Sequence, residues 1–379
     1  MKGWTVNRKK ILPIAARLDA SAAHTGKNVT IAFIDSGFYP HPDLTQPHNR
    51  ILKYVDILDT AHGEQQFATP KLISWHGMMT SVCAAGNGYL SNGLYKGLAS
   101  DATVVLIKVA DDRGRVAEHN LLLGLEWVLT HRDLYDIDLV NISVGGDREI
   151  PHEESLINRA VEQLLERGVV VVVAAGNTGT QRIVPPASTP DVITVGGLDD
   201  KNSLHRQDHT LYWSSFGPTV DGVAKPEIIA PAIWIPLPIL PETDQFVEAQ
   251  AIARLNRIPN FLLRHALKRE LPHIQLSPDI LNQPVRLIRQ ALKARRDHHK
   301  YISAYYKHGD GTSFAAPIVS SVVAQMLEIN PGLTPARIKE ILIQTAETLP
   351  NVPPAQQGHG VINQREALRV VWQGARPLG

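Results

Sequence analysis

The chain has 379 residues, enough to bury one large core or two modest ones. Charged residues make up 20% and the net charge is +1, which excludes a global field of the kind that drives binding to nucleic acid or to a membrane. The one cysteine, Cys83, excludes an intrachain disulfide, and no run of roughly 18 apolar residues argues for a membrane span, so a cytoplasmic protein is expected.

At the N-terminus, Arg8, Lys9 and Lys10 precede only the short apolar run Ile11–Ile14, too short for a secretory leader. Val29 to Ile34 is a β-branched apolar run predicted to be a strand, and it delivers Asp35-Ser36-Gly37 at its C-terminal end. Turn-forming Tyr39-Pro40-His41-Pro42-Asp43-Leu44 follows. Trp75-His76-Gly77 then opens a small-residue segment, Met78 to Ala85, predicted to be a buried helix. A loop rich in Gly and Asn covers 87–97. Further strands are expected at 102–109, 139–144, 169–175 and 192–195, with helices at 121–129 and from Leu156 to a stop at Gly168. Apolar strands alternating with helices predict an α/β fold with a parallel central sheet covered by helices on both faces. Functional groups gather at the C-terminal strand ends of such sheets, and Asp35, Ser143 and Asn177 occupy such ends.

After residues 228–231 the composition changes. Between 233 and 308 there are 12 Lys plus Arg against 6 Asp plus Glu, which leaves the rest of the chain at −5. Two or three helices are expected there, at roughly 246–257, 260–270 and 282–300. The last carries an apolar stripe (Leu281, Val285, Ile288, Leu292) opposite a basic face (Arg286, Arg289, Lys293, Arg296). The chain therefore reads as one domain over 1–379, interrupted by a basic, mainly helical insertion at 233–308.

The insertion ends at Gly309-Asp310-Gly311-Thr312-Ser313-Phe314-Ala315-Ala316-Pro317. A glycine-flexed turn here delivers one serine to the start of a long small-residue helix, with Thr312 or Ser313 as N-cap and Pro317 removing one helical hydrogen bond. Alone, this stretch fits an ordinary capped helix as well as it fits a nucleophile. An acid (Asp35), an imidazole (His76) and a hydroxyl (Ser313) form an acyl-transfer set. The imidazole takes the serine proton, and the carboxylate holds the imidazole's tautomer. Asn177 and the Ser313 N–H can serve a developing oxyanion. In the order Asp, His, Asn, Ser, on these elements, the set is far more specific than any member.

With these stretches the sequence resembles the subtilisin-like serine proteases, or subtilases, in the style of the intracellular bacterial ones. The match rests on Val29–Gly37, His41–Leu44, His76-Gly77, Asn141–Gly146, Val171–Asn177, Val192–Gly197, Ser214–Pro218, Lys225–Pro231 and Gly311–Pro317. The resemblance implies a serine endopeptidase with Asp35, His76 and Ser313 as triad and Asn177 as oxyanion donor. It implies that Ser143, Val144 and Gly145 bind an extended peptide as an added strand, and that Val144, Ala174, Ala175 and Gly176 line the P1 pocket. The small, uncharged lining predicts an apolar P1 residue. No cofactor is required. In relatives, a structural calcium sits at the position of Asp43 and the 87–97 loop; here Asp43, Asn87 and Asn92 offer oxygens but the loop has no carboxylate of its own before Asp101, so the resemblance leaves such a site open. The insertion is expected to limit access or to recruit an acidic partner; no nucleic acid is expected. Met78 and Met79 depart from the residues usual after His-Gly, and Cys83, two turns past His76, reads as a buried, inert thiol.

Overall fold

The predicted strand before Asp35 is β1 (Thr30–Asp35), the centre of the sheet in a computed structural model that describes residues 11–61 and 63–375. Arg8, Lys9 and Lys10 lie outside the described residues. The other strands are β2 (Ile51–Asp56), β3 (Thr103–Lys108), β4 (Ile137–Ile142), β5 (Val170–Ala174), β6 (Ile193–Asp199), β7 (Thr210–Leu211) and β8 (Ile228–Pro231). They run in the order β2-β3-β1-β4-β5-β6 with every neighbour parallel; β8 adds parallel to β6, and short β7 pairs with it antiparallel.

Successive side chains of a strand point to opposite faces, so a strand buried on both faces needs an unbroken apolar run. Ile31 and Phe33 of β1 enter one core layer with α1 (Trp75–Ala85) and α7 (Thr312–Ile329). Ala32 and Ile34 enter the other with α2 (Glu118–His131) and α3 (Leu156–Glu166). The sheet is thus a layer between two sets of helices, as expected. Helix α7 is long and apolar enough to cross a membrane, which corrects the expectation that no segment reaches that length. It is the core helix, 83% buried inside the protein.

The segment after β8 forms a two-stranded antiparallel ribbon, β9 (Ile235–Pro238) with β10 (Tyr306–Gly309). Between its strands lie α4 (Asp244–Arg257), α5 (Asn260–Glu270) and α6 (Val285–His298). The expected third helix is shorter at both ends, because Pro284 sets its start and His299 leaves helical geometry. The apolar stripe packs inward: Ile288 and Leu292 join Ile252, Leu255, Leu263 and Leu267 in a separate small core. Part of the insertion's positive charge is spent internally. Arg289 donates to the carbonyls of Leu255 and Ile258 and to Asn260, closing the end of α4; Arg295 bonds Glu248 and Arg254 bonds Glu270. After α7, α8 (Pro335–Thr345) and α9 (Gln364–Gly374) complete the first layer.

Candidate active site

The chain reverses after β1 at Ser36-Gly37, and helix α1 starts directly against that turn. A Cβ on Gly77 would stand 2.2 Å from the Gly37 carbonyl oxygen, so only glycine allows this approach. The close packing sets His76, the second residue of α1, beside Asp35 at the end of β1. His76 Nδ1 lies 2.6 Å from Asp35 Oδ1, which also accepts the Ser36 N–H at 2.6 Å. Asp35 Oδ2 accepts the hydroxyl of Thr80, one turn along α1, at 3.0 Å. The carboxylate is buried, whereas the imidazole keeps 18% of its surface open. Burial works against the imidazolium, but the Asp35 charge and hydrogen bond more than offset it, and His76 is held above its ordinary value of 6.5. Trp75 meets the imidazole edge-on at 5.1 Å, and Phe314 lies on its other side at 5.9 Å.

Ser313 enters from a third element. The cap of α7 is Gly311, at φ 144°, and neither Thr312 nor Ser313 caps the helix by its side chain, contrary to expectation. Both are its first residues instead. The Thr312 hydroxyl and N–H both donate to Asn177 Oδ1, at 3.1 and 2.9 Å. That pair fixes which way the Asn177 amide faces and leaves Nδ2 as a free-standing donor beside the helix start. The N–H of Ser313 belongs to the first turn, where no intrahelical acceptor exists. The strand-end residue Asn177 and the helix start therefore present two donors in one neighbourhood.

Pro317 lies inside the helix, where it removes one helical hydrogen bond as expected. Its missing N–H would otherwise bond to the Ser313 carbonyl, four residues back. That carbonyl instead accepts the Ser143 hydroxyl at 3.0 Å, while the Ser313 hydroxyl donates to the Ser143 carbonyl at 3.3 Å. Behind them, Asn141 Nδ2 donates to Ser143 Oγ, and Ser320 Oγ donates to Asn141 Oδ1. A buried polar chain thus ties the end of β4 to α7. Sequence reading named Ser143 and Ser313 but not this reciprocity; it gave Thr312 only as a possible N-cap and Asn141 only as the start of a motif, and passed over Thr80. Their residue types carry no local signal, since the contacts span distant segments.

Two cavities flank this centre. One, about 200 Å³, is lined by Ser143 to Gly146, Val173 to Thr178, Val184 and Arg182, with Ser313 at its mouth; the expected Val144, Gly145, Ala174, Ala175 and Gly176 all belong to its wall. Arg182 donates to the Asp147 carbonyl. The other, about 450 Å³, lies on the His76 side and is lined by Leu72, Trp75, Arg113, Gly114, Val116 and Val144, among others. Its outer wall is the Asp111–Arg115 turn, which the sequence reading passed over although Asp-Asp-Arg-Gly is turn chemistry.

Cys83 is buried, donates toward the Phe314 carbonyl at 3.7 Å, and burial pushes its thiol up to about 12. At that value the thiolate is negligible and the thiol inert, as expected. The donor set at Asp43 does not fit a calcium ion. Asp43 is fully buried; its Oδ2 accepts the Tyr306 hydroxyl at 2.5 Å and its Oδ1 the Leu90 N–H at 3.1 Å. The Asn87 side-chain oxygen is taken by the Tyr89 N–H, and no group of three His, Cys, Asp or Glu suited to a metal exists among the described residues.

Comparison with known proteins agrees with this architecture. A sequence model of the subtilase family matches residues 26–360. The serine protease AprX of Bacillus subtilis is 32% identical over 352 residues, covering 91% of this chain and 67% of AprX. The major intracellular serine protease of the same organism is 28% identical, covering 47% of this chain and 54% of the relative. Among solved structures, a cold-adapted subtilisin-like serine proteinase superposes with a TM-score of 0.55 at 19% identity, covering 90% of this chain and 89% of that one. Fervidolysin from Fervidobacterium pennivorans superposes at 0.60 with 22% identity, covering 94% of this chain and 44% of its own. The chain belongs to the subtilase family and is a subtilisin-like serine endopeptidase.

Proposed function

We propose that peptide hydrolysis runs through Asp35, His76 and Ser313, with Asn177 and the Ser313 N–H as oxyanion donors. The observation that carries this is the Asp35–His76 pair: a buried carboxylate 2.6 Å from Nδ1, on an imidazole whose other side stays open. With substrate present, the Ser313 hydroxyl turns from the Ser143 carbonyl to Nε2 of His76. Its proton passes to Nε2 as Oγ bonds to the peptide carbonyl carbon. The carbonyl oxygen, now negative, takes hydrogen bonds from Asn177 Nδ2 and the Ser313 N–H. Imidazolium then protonates the leaving amine as the C–N bond breaks, and water repeats the sequence on the acyl-enzyme. Asp35 stabilises the imidazolium and fixes its orientation throughout. No cofactor enters these steps.

Ser143 to Gly145 would pair with the peptide backbone as an added strand. The P1 side chain would enter the 200 Å³ cavity, whose Val173, Val144, Ala174 and Ala175 favour an apolar residue. A cytoplasmic setting belongs to the same proposal and rests on the reduced, buried Cys83; recovery of the protein from the medium would overturn it.

The decisive experiment is stoichiometric labelling by a fluorophosphonate, expected in the parent and absent in Ser313→Ala, followed by cleavage profiling. Labelling that survives Ser313→Ala would sink the assignment of the nucleophile. A profile dominated by Lys or Arg at P1 would sink the apolar preference.

A further inference from the structure

We propose that Arg113 makes the enzyme select an acidic side chain at P2 or P4 of its substrate. This rests on the peptidase reading above and adds a specificity residue to it. An extended peptide paired with Ser143 to Gly145 alternates its side chains between two faces. With P1 in the cavity beside Asn177, P2 and P4 face the other cavity, on the His76 side. That cavity, about 450 Å³, has apolar walls from Leu72, Ile73, Trp75, Val116 and Val144. Arg113 is the one charged side chain in its lining apart from His76, and no carboxylate is present there.

The guanidinium is also unspent. Arg113 makes no side-chain hydrogen bond or ion pair among the described residues; only its backbone N–H is engaged, by Asp111 Oδ1. The Asp111 carboxylate is committed elsewhere, to the side chain of Arg115 and to the N–H of that residue. A cation in an apolar-walled cleft with no internal counter-charge is best matched by an incoming carboxylate, which a planar guanidinium can hold by two hydrogen bonds. Because Arg113 is exposed, the preference is moderate and falls with salt.

The test is a peptide series with Phe at P1 and Glu, Gln or Lys at P2 or P4. In the parent, the Glu peptide is expected to exceed the Gln peptide in kcat/KM by about two- to fivefold at low salt. Arg113→Ala should bring the ratio to about one, and Arg113→Glu should favour Lys. A parent ratio of one at both positions, or a ratio that survives Arg113→Ala, would overturn the proposal. If no member is cleaved, Gln peptides included, the peptidase reading itself fails and takes this inference with it.

A second inference rests on the buried Asp43. The Tyr306 hydroxyl, supplied by the returning strand of the insertion, replaces a structural cation at Asp43, so this enzyme holds its 87–97 loop without calcium. Besides Tyr306 and Leu90, the Arg50 guanidinium donates to the Asp43 carbonyl at 2.7 Å, bringing a permanent positive charge to the site. Asn87 N–H donates to the same carbonyl at 3.0 Å, which joins the loop directly to Asp43. Tyr95, from the same loop, packs on Tyr306 with ring centres 5.4 Å apart. In thermal unfolding, adding EDTA or calcium chloride to the parent should leave the midpoint unchanged, and a calcium titration by calorimetry should show no stoichiometric binding. Tyr306→Phe leaves a buried carboxylate oxygen without a donor and should lower the midpoint by several degrees. A parent midpoint that falls with EDTA and recovers with calcium, or stoichiometric calcium uptake, would overturn the inference even if the Phe variant cannot be made.

Discussion

At the scale of single residues, His76 is governed by opposing forces whose balance is measurable. Burial disfavours its charged form, and Asp35 more than restores it, so protonation persists above pH 6.5. As the proposed base, His76 works only when neutral. kcat/KM should therefore rise with pH along a limb whose apparent pKa lies above 6.5. The linkage to stability runs the other way: with the folded value raised, the contribution of His76 is complete below pH 6.5 and is lost as pH rises through the folded value. Asp35→Asn is expected to cost about 10⁴-fold in kcat. A pH–rate profile of the parent checks the limb, and a midpoint at or below 6.5 would show that the carboxylate does not prevail. The same scale contains what sequence could and could not disclose. Asp35, His76, Asn177 and Ser313 were legible because each sits in a short motif that its backbone dictates, such as the glycine at 77 that lets α1 abut β1. Arg113 and Thr80 were not, because their significance lies in which distant group they face.

At the scale of elements, the insertion is built as a side structure with its own core, yet it grips the nucleophile turn. Lys300, just after α6, pairs with Asp310, whose other carboxylate oxygen accepts the Trp234 N–H at 3.1 Å. Trp234 in turn packs on His308 with ring centres 4.6 Å apart. The helices were legible from their apolar period. Of their basic face, Arg289 is tied to the end of α4 and Arg296 to Asp297, which leaves Arg286 and Lys293 for an acidic partner. Replacing residues 244–298 by a short turn keeps β9, β10 and Tyr306. If the helices restrict access, as the sequence leads one to expect, this variant should cleave folded proteins several-fold faster while turnover of short peptides changes little. Equal changes for both substrates would show that they do not gate the cleft.

Across the whole molecule, two histidines resist protonation, the buried His41 and the half-buried His308. Burial holds His41 down to about 4, against a partial pull from Asp43. Burial likewise holds His308 down to about 4; Asp310 opposes this, and Lys300 and Lys307 reinforce it. Unfolded, both take protons near pH 6.5, so the unfolded chain binds more protons and stability should fall as pH drops from 6.5 toward 4. Melting temperatures measured across that range should decline in the parent and decline less in His308→Phe; parallel curves would refute the assignment. The β9–β10 ribbon has a consequence of another kind. Tyr306 faces Pro238 and Gly309 faces Ile235, so the insertion leaves and re-enters the catalytic body at adjacent points, about 5.5 Å apart. Such a junction behaves as a socket: a foreign module with neighbouring termini could be plugged in without stretching the host chain. Because one lead of that socket runs directly into Ser313, a ligand-sensing module seated there would be wired to peptide-bond cleavage.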